Sequence, residues 1–176
     1  MLEVSRRREQ RRGAASASAS IRAARPDEAQ TLSDLALRSK GSWGYPPRMV
    51  RAFQAELTLT AGELEDAFVI EVEGVVARFY SLLPTSPDRV ELGHLFVEPA
   101  WHGRGLGRSM VEDALRRSGQ RGFRVLEIQG DPHAAPFYRC VGATQVGERE
   151  SESVPGRMLP LFEISVPRQP GSSRGT

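Results

Sequence analysis

Residues 91–117, ELGHLFVEPAWHGRGLGRSMVEDALRR, decide the fold that this sequence predicts. Segment 92–97 is apolar apart from Gly93 and His94, which is typical of a strand in a sheet covered on both faces. Pro99 ends that strand because proline cannot donate a hydrogen bond to a strand ladder. After it, apolar residues recur at helical spacing, with charged residues on the other face. The stretch therefore predicts a strand, a turn and a helix.

The turn at 102–107, HGRGLG, carries three glycines at alternate positions. A helix N-terminus offers unpaired N–H groups and the positive end of a dipole, and glycines let a phosphate approach that backbone closely. We interpret the turn as a candidate anion-binding loop, although glycines also serve ordinary turns. A Walker loop is excluded because Lys40 is the only lysine, and the glycine spacing differs from the dinucleotide-binding fingerprint.

Hydrophobic periodicity and turn residues predict the other elements around this centre. Proline and acidic residues near position 26 indicate the start of the first helix, and Asp131-Pro132 the start of a short later one. Pro160 within the last strand predicts an edge position or a bulge. The remaining expected strands are 21–24, 66–72, 75–83, 123–129, 144–150 and 158–166, and the expected helices are 26–38, 47–59 and 132–140.

Composition limits the class of protein. A chain of 176 residues suits one domain, and no apolar run is long enough for a transmembrane helix. No signal-peptide core follows the N-terminal arginines. Cys140 is the only cysteine, so no intramolecular disulfide can form, which favours a cytoplasmic location; we expect its thiol to be a small buried apolar group. The net charge of +2 is too small to indicate nucleic acid as the main partner.

The two ends differ in composition from the middle of the chain. Residues 1–20 combine an arginine cluster with an Ala/Ser run, and residues 167–176 are rich in Pro, Gly, Ser and Arg. Such segments cannot bury enough apolar surface to offset the entropy of ordering. We expect both tails to be disordered around one domain at 21–166. A nucleic-acid-binding arm is the weakest alternative, and it predicts binding that falls steeply with salt.

Two motifs resemble the GNAT superfamily of N-acetyltransferases. The turn at 102–107 is similar to its signature Gln/Arg-x-x-Gly-x-Gly/Ala, with His102 at the first position. DPHAAPFYRCVGA at 131–143 resembles its Asn-x-x-Ala-x-x-Phe-Tyr-x-x-x-Gly-Phe, with Asp131 and Ala143 as departures. The resemblance implies an α/β GNAT fold, a mixed and mostly antiparallel sheet of six or seven strands flanked by helices. It also implies acetyl-CoA as co-substrate.

The resemblance assigns positions in this chain to the co-substrate. Backbone N–H groups around Phe96 and Val97 would hold the thioester and stabilise an oxyanion. Asp131 takes the place of an asparagine that often bonds the pantetheine arm, but its carboxylate can only accept, and a helix cap is its simpler role. The residues expected to cradle the pyrophosphate are His102, Gly103, Arg104, Gly105, Gly107 and Arg108.

The resemblance also suggests catalytic and acceptor-binding residues. Tyr138 matches the tyrosine that lies near the sulfur of coenzyme A, where a hydroxyl assists departure of the thiolate. The candidate bases are Glu91 and His94, which regular strand alternation would place on opposite faces unless a bulge intervenes, and a structural histidine and a surface glutamate are the alternative interpretations. Trp43 and Tyr45 lie in the segment that often overhangs the acceptor, although both could simply anchor their loop on the core.

These observations predict an acyltransferase that moves acetyl from acetyl-CoA to a primary amine by direct attack in a ternary complex. No cluster of metal ligands is visible, so no metal is expected. The departures from the motifs keep open a second class, a catalytically silent acyl-CoA-binding sensor. A homodimer is the assembly that the resemblance suggests, no membrane partner is expected, and the acceptor amine stays open.

Overall fold

The computed structural model describes residues 20–103 and 105–168, which form one seven-stranded sheet flanked by helices. The spatial order of the strands is β1-β2-β3-β4-β5-β7-β6. All neighbours are antiparallel except β4 and β5, which run parallel. The strands are β1 Ser20–Ala23, β2 Ala67–Val72, β3 Val75–Pro84, β4 Arg89–Val97, β5 Val125–Gln129, β6 Thr144–Glu150 and β7 Met158–Ser165.

The helices follow the start and stop signals of the sequence. Pro47 occupies the first turn of its helix, where its missing N–H removes no hydrogen bond. Asp131 caps the 3-10 turn that precedes the last helix, accepting from the backbone N–H of His133 at 3.0 Å. The α-helices are α1 Ala29–Gly41, α2 Pro47–Glu56, α3 Leu106–Gln120 and α4 Ala135–Cys140, and 3-10 turns cover Pro26–Glu28, Ala61–Leu64, Pro99–Trp101 and Pro132–Ala134.

Each face of the sheet carries its own core. The first core lies under α3 and α4 and includes Tyr80, Leu82, Met110, Leu126 and Phe162. The second core lies under α1 and α2 and includes Leu32, Leu35, Phe53, Val69 and Phe79. Full burial of one such side chain stabilises the fold by roughly 1.5–3 kcal/mol. The sheet is therefore covered on both sides, as the apolar run in β4 predicted.

The predicted fold class is confirmed, and the differences are local. Pro160 does not mark an edge strand, because β7 pairs with both β5 and β6, and β6 is the edge. A register shift between Gln145 and Gly147 lies nearby in the β6–β7 pair. Cys140 is exposed rather than buried, because it ends α4 at the surface beside Arg108.

Parts of the prediction fall outside the described residues. The tails expected to be disordered, 1–20 and 167–176, lie outside the described residues except for Ser20, which begins β1, and residues 167–168. The predicted pyrophosphate contact Arg104 also lies outside the described part of the chain. Within the described part, no helix is both long enough and apolar enough to cross a bilayer.

Candidate active site

The two parallel strands at the centre of the sheet separate partway along. β4 pairs with β5 only over Arg89, Val90 and Glu91, although β4 continues to Val97. Beyond Glu91, β4 pairs with β3 alone and β5 pairs with β7 alone. The β5-facing edge of β4 is therefore open near the start of α3, where an extended ligand could pair with its backbone.

A bulge in β4 sets which side chains share a face. The register with β3 passes from His94 opposite Ser81 to Leu92 opposite Leu82, so Gly93 is the extra residue. A Cβ on Gly93 would lie 2.5 Å from Leu83 Cδ1 and 3.0 Å from Ser81 Oγ, and only glycine fits without displacement. The bulge is the exception to strand alternation that the sequence left open.

The bulge puts both predicted bases on the same face of the sheet. Leu92 belongs to the first core and Leu95 packs against it, whereas Phe96 packs against the second core. Alternation therefore skips one residue between Leu92 and Leu95. Glu91 and His94 both lie on the α1–α2 side, the side of the second core.

His94 occupies a half-buried position on that face. Its Nδ1 lies 2.8 Å from Ser81 Oγ, and its ring is 5.9 Å from the ring of Phe79. Burial lowers the pKa of His94 below its usual 6.5, and the negative charges of Glu63 and Glu56 oppose that shift only in part. The imidazole is therefore neutral near pH 7 and can accept a proton.

Glu91 has a different environment. Its carboxylate accepts a hydrogen bond from the Arg149 guanidinium on β6 at 3.1 Å. Two cavities adjoin Tyr138, and Glu91 lines neither of them. The structure thus brings His94, but not Glu91, to the wall of a cavity beside Tyr138.

The larger cavity, of about 380 Å³, runs along the glycine-rich turn and the start of α3. Val97 and five of the predicted pyrophosphate residues line it, namely His102, Gly103, Gly105, Gly107 and Arg108. Phe96 does not line this cavity and instead reaches the smaller one. Aromatic side chains of Trp43, Trp101 and Phe137 contribute apolar walls.

Two positions of the turn require glycine for different structural reasons. Gly105 precedes α3 with a φ of 73°, a left-handed conformation that glycine adopts without strain. A Cβ on Gly107 would lie 2.9 Å from the Phe137 ring, so this glycine lets α4 pack against the start of α3. The first turn of α3 contains no acidic residue, so its N–H groups and dipole favour an anion in the cavity.

Two side chains of the predicted cradle are engaged with the protein's own backbone. His102 Nε2–H donates to the carbonyl of Val97 at 2.8 Å. Arg108 donates to the carbonyl of Cys140 at 2.9 Å. The backbone N–H groups, the helix dipole and the positive charge of Arg108 are the described features of this turn that favour an anion.

A smaller cavity, of about 140 Å³, lies on the other side of Tyr138. Its polar wall includes Lys40, Glu56, His94, Gln129 and Asp131. The residues that line both cavities are Ser39, Trp43, Leu95, Ala134 and Tyr138. The two cavities therefore adjoin at a common wall.

Tyr138 belongs to that common wall. The residue is 7% exposed, and its ring centre lies 5.6 Å from the ring centre of Phe162. Burial raises the pKa of Tyr138 well above its usual value, and the nearby charge of Asp131 adds to the effect. The phenol is therefore protonated at neutral pH and can donate a proton or a hydrogen bond.

Asp131 joins three residues that the sequence does not place together. It accepts from Lys40 at 2.6 Å, from the Tyr45 hydroxyl at 2.8 Å and from Arg157 at 3.2 Å, and Arg157 also donates to Tyr45 at 2.6 Å. We call Lys40, Tyr45, Asp131 and Arg157 the clasp. Burial alone would raise the pKa of Asp131, but Lys40 and the hydrogen bonds outweigh it and lower the pKa to about 2.

The clasp occupies two residues that were predicted to bind ligands, Asp131 for the pantetheine arm and Tyr45 for the acceptor. Asp131 lines the smaller cavity rather than the larger one, and its carboxylate serves the clasp and the cap at His133. Tyr45 lines neither cavity and anchors its loop through the clasp and an edge contact with Phe53, 5.3 Å between ring centres. Trp43, in contrast, lines both cavities.

Sequence reasoning gave no individual role to Lys40, Glu56 or Arg157. Lys40 had one available signal, because it is the only lysine in an arginine-rich chain. In the described part of the chain, no group of three or more His, Cys, Asp or Glu side chains is placed to hold a metal ion.

Comparison with known proteins agrees with this fold. Residues 29–143 match the model of the acetyltransferase (GNAT) family, and the chain belongs to that family. Over 66 residues it is 38% identical to N-alpha-acetyltransferase RimI of Mycobacterium tuberculosis, a match that spans 37% of this chain and 41% of that protein. The match thus covers less than half of the relative's length.

Solved structures show the same fold at low sequence identity. The PaiA N-acetyltransferase of Thermoplasma acidophilum, solved in complex with coenzyme A, superposes with a TM-score of 0.68 at 15% identity, over 84% of this chain and 99% of that one. A GCN5-related N-acetyltransferase from Rhodopseudomonas palustris gives a TM-score of 0.67 at 20% identity, over 83% and 94%.

Proposed function

We propose that the protein transfers the acetyl group of acetyl-CoA to a primary amine by direct attack in a ternary complex. The observation that carries this proposal is the wall shared by the two cavities. Tyr138 lies on that wall, the start of α3 lines the larger cavity and His94 lines the smaller one. Acetyl-CoA in the larger cavity and an amine in the smaller one would meet beside Tyr138.

Acetyl-CoA supplies a thioester whose carbonyl carbon is open to nucleophilic attack. Backbone N–H groups at Gly105, Gly107 and the first turn of α3 would hold its pyrophosphate. The open edge of β4 beyond Glu91 would pair with the pantetheine arm and direct N–H groups around Phe96 and Val97 at the carbonyl oxygen. The coenzyme A bound to the PaiA relative supports this choice of ligand.

His94 is the better placed of the two candidate bases. An alkylammonium has no free lone pair, so a proton must leave it before attack. With Nδ1–H donating to Ser81, the lone pair of Nε2 would accept that proton directly or through water. Glu91 is less suited because Arg149 holds its carboxylate outside both cavities.

Tyr138 would act on the leaving group. The amine nitrogen bonds to the carbonyl carbon, the carbon–sulfur bond breaks, and the sulfur leaves with the electron pair of that bond. The Tyr138 hydroxyl would donate a proton or a hydrogen bond to this sulfur, and the acylated nitrogen releases its second proton, which balances the proton that the thiol gains. Its raised pKa favours the donor form that this role needs.

The test is release of free thiol from acetyl-CoA in the presence of a panel of amines, with mass spectrometry of the products. We expect amine-dependent thiol release and a product 42 mass units heavier than the amine, about the mass of an added acetyl group minus one hydrogen. Binding of acetyl-CoA without turnover across the panel would contradict the transferase. That outcome would favour an acyl-CoA-binding sensor, a function favoured by the engagement of Asp131 in the clasp. The cytoplasmic location and a homodimer stay predictions from the sequence.

A further inference from the structure

The smaller cavity has two carboxylates in different electrostatic settings. Asp131 is paired with two cations, Lys40 at 2.6 Å and Arg157 at 3.2 Å. Glu56 accepts a hydrogen bond from the Ser153 hydroxyl, and no lysine, arginine or histidine of the described residues forms an ion pair with it. Glu56 is therefore an exposed carboxylate on the cavity wall that has no ion-pair partner among the described residues and can pair with a cation of a ligand.

The negative charge of Glu56 affects which amine groups the cavity can bind. The amine that reacts must be neutral at the moment of attack, and a carboxylate beside it would favour its charged form instead. A second cationic group on the same acceptor keeps its charge throughout the reaction. Glu56 can bind such a group in the ground state and in the transition state alike.

The dimensions of the cavity limit the size of the acceptor. The loop between β6 and β7 crosses towards α2, where Ser153 bonds Glu56 and Val154 packs against the second core. Arg157 ties the end of the same loop to Tyr45 and Asp131. These contacts leave a cavity of about 140 Å³, which suits a small molecule better than an extended peptide.

We infer that the acceptor is a small primary amine that carries a second cationic group, and that Glu56 binds this second cation. The inference rests on the proposed transferase function and adds the acceptor class to it. His94 lines the same cavity as Glu56 and would take the proton from the reacting amine. Glu56 thus acts as a substrate-binding residue and takes no part in proton transfer.

The experiment compares two acceptors of equal carbon number, 1,4-diaminobutane and 1-aminobutane, by thiol release from acetyl-CoA. For the wild-type protein we expect kcat/KM to be about tenfold or more higher for the diamine, mainly through KM. Glu56→Gln should remove this preference, with the loss falling mainly on KM for the diamine. Glu65→Gln is the matched control, because Glu65 is exposed and lines neither cavity.

Three results would overturn the inference. The first is a wild-type preference for the monoamine. The second is an equal loss for both acceptors in Glu56→Gln. The third is a higher kcat/KM for a short peptide with a free N-terminal amine than for the diamine. Failure of the proposed function looks different, since no acceptor of any kind would then release thiol from bound acetyl-CoA.

Discussion

Ser81 Oγ lies 2.8 Å from His94 Nδ1, across the β3–β4 pair at the point where β4 bulges. The bulge exists because Gly93 has no side chain to meet Leu83. Ser81 is 1% exposed, so its hydroxyl has little access to water and restrains the imidazole ring. This relationship links a packing feature of the sheet to the orientation of the proposed base.

Replacement of His94 by glutamine should lower kcat by about 10²–10⁴, the usual contribution of a general base. Only the neutral imidazole can accept a proton, and burial lowers the pKa of His94 below 6.5. In the wild type, kcat should therefore rise with pH through a midpoint below 6.5 and be constant at neutral pH. The measurement is the pH dependence of kcat at saturating substrates.

The matched comparison is Ser81→Ala, which keeps the imidazole and removes its hydrogen-bond partner. It should reduce kcat by roughly tenfold, and kcat should still decrease at low pH as it does in the wild type. If kcat of His94→Gln decreased at low pH in the same way as that of the wild type, the titrating group would be a residue other than His94.

Replacement of Tyr138 by phenylalanine should lower kcat by about 10². Affinity for acetyl-CoA should change little, because the ring that packs against Phe162 is retained. The raised pKa of Tyr138 keeps the hydroxyl protonated. Wild-type kcat should therefore show no decrease as the pH rises from neutral to about 10. Full turnover in the variant would remove Tyr138 from the mechanism.

Replacement of Gly107 by alanine should weaken binding of acetyl-CoA by roughly tenfold, corresponding to about 1.4 kcal/mol. The new Cβ would lie 2.9 Å from two carbons of the Phe137 ring, which lines the larger cavity. Overpacking of this kind displaces the ring or the start of α3. Gly62→Ala is the control, because its Cβ meets nothing within 4 Å. The measurement is calorimetric titration of both variants with acetyl-CoA. Equal affinities would contradict a role for this turn in binding acetyl-CoA.

Replacement of Asp131 by asparagine should destabilise the fold by about 3 kcal/mol at neutral pH, because Lys40 and Arg157 would lose their shared carboxylate in a mostly buried site. Urea unfolding measures this change. Asp27→Asn, at a side chain that is 76% exposed, should stay within about 0.5 kcal/mol of the wild type.

The same residue predicts a pH dependence of stability. The pKa of Asp131 is about 2 in the folded protein, against an unperturbed 3.8. The ionised carboxylate therefore stabilises the folded state fully above the unperturbed value, and this contribution is lost as pH falls towards 2. The difference in unfolding free energy between wild type and Asp131→Asn should shrink from neutral pH to pH of about 3. A constant difference would show that Asp131 is not held by the cations of the clasp.

The fold was predictable from the sequence because its signals are local. The strand, turn and helix at the centre each depend on residues within a few positions of one another, and the structure places them at β4 and α3. Most of the seven strands follow from apolar or alternating segments separated by turn residues, whereas β6 is exposed along its whole length.

The site was predictable only in part because its contacts span the chain. Lys40 and Asp131 are 91 positions apart, and Tyr45 and Arg157 are 112 positions apart. The bulge at Gly93 depends on the register with β3, which periodicity within one strand does not contain. Motif similarity located Tyr138 and the glycine turn, whereas the clasp and Glu56 required coordinates.

The central claim is that acetyl-CoA and the amine occupy two adjoining cavities at the same time and react directly. Initial rates of thiol release, with both substrates varied, test it most directly. The account predicts double-reciprocal lines that intersect, as a ternary complex requires. Parallel lines, together with an acetylated protein formed in the absence of amine, would show a covalent acetyl-enzyme and contradict direct transfer.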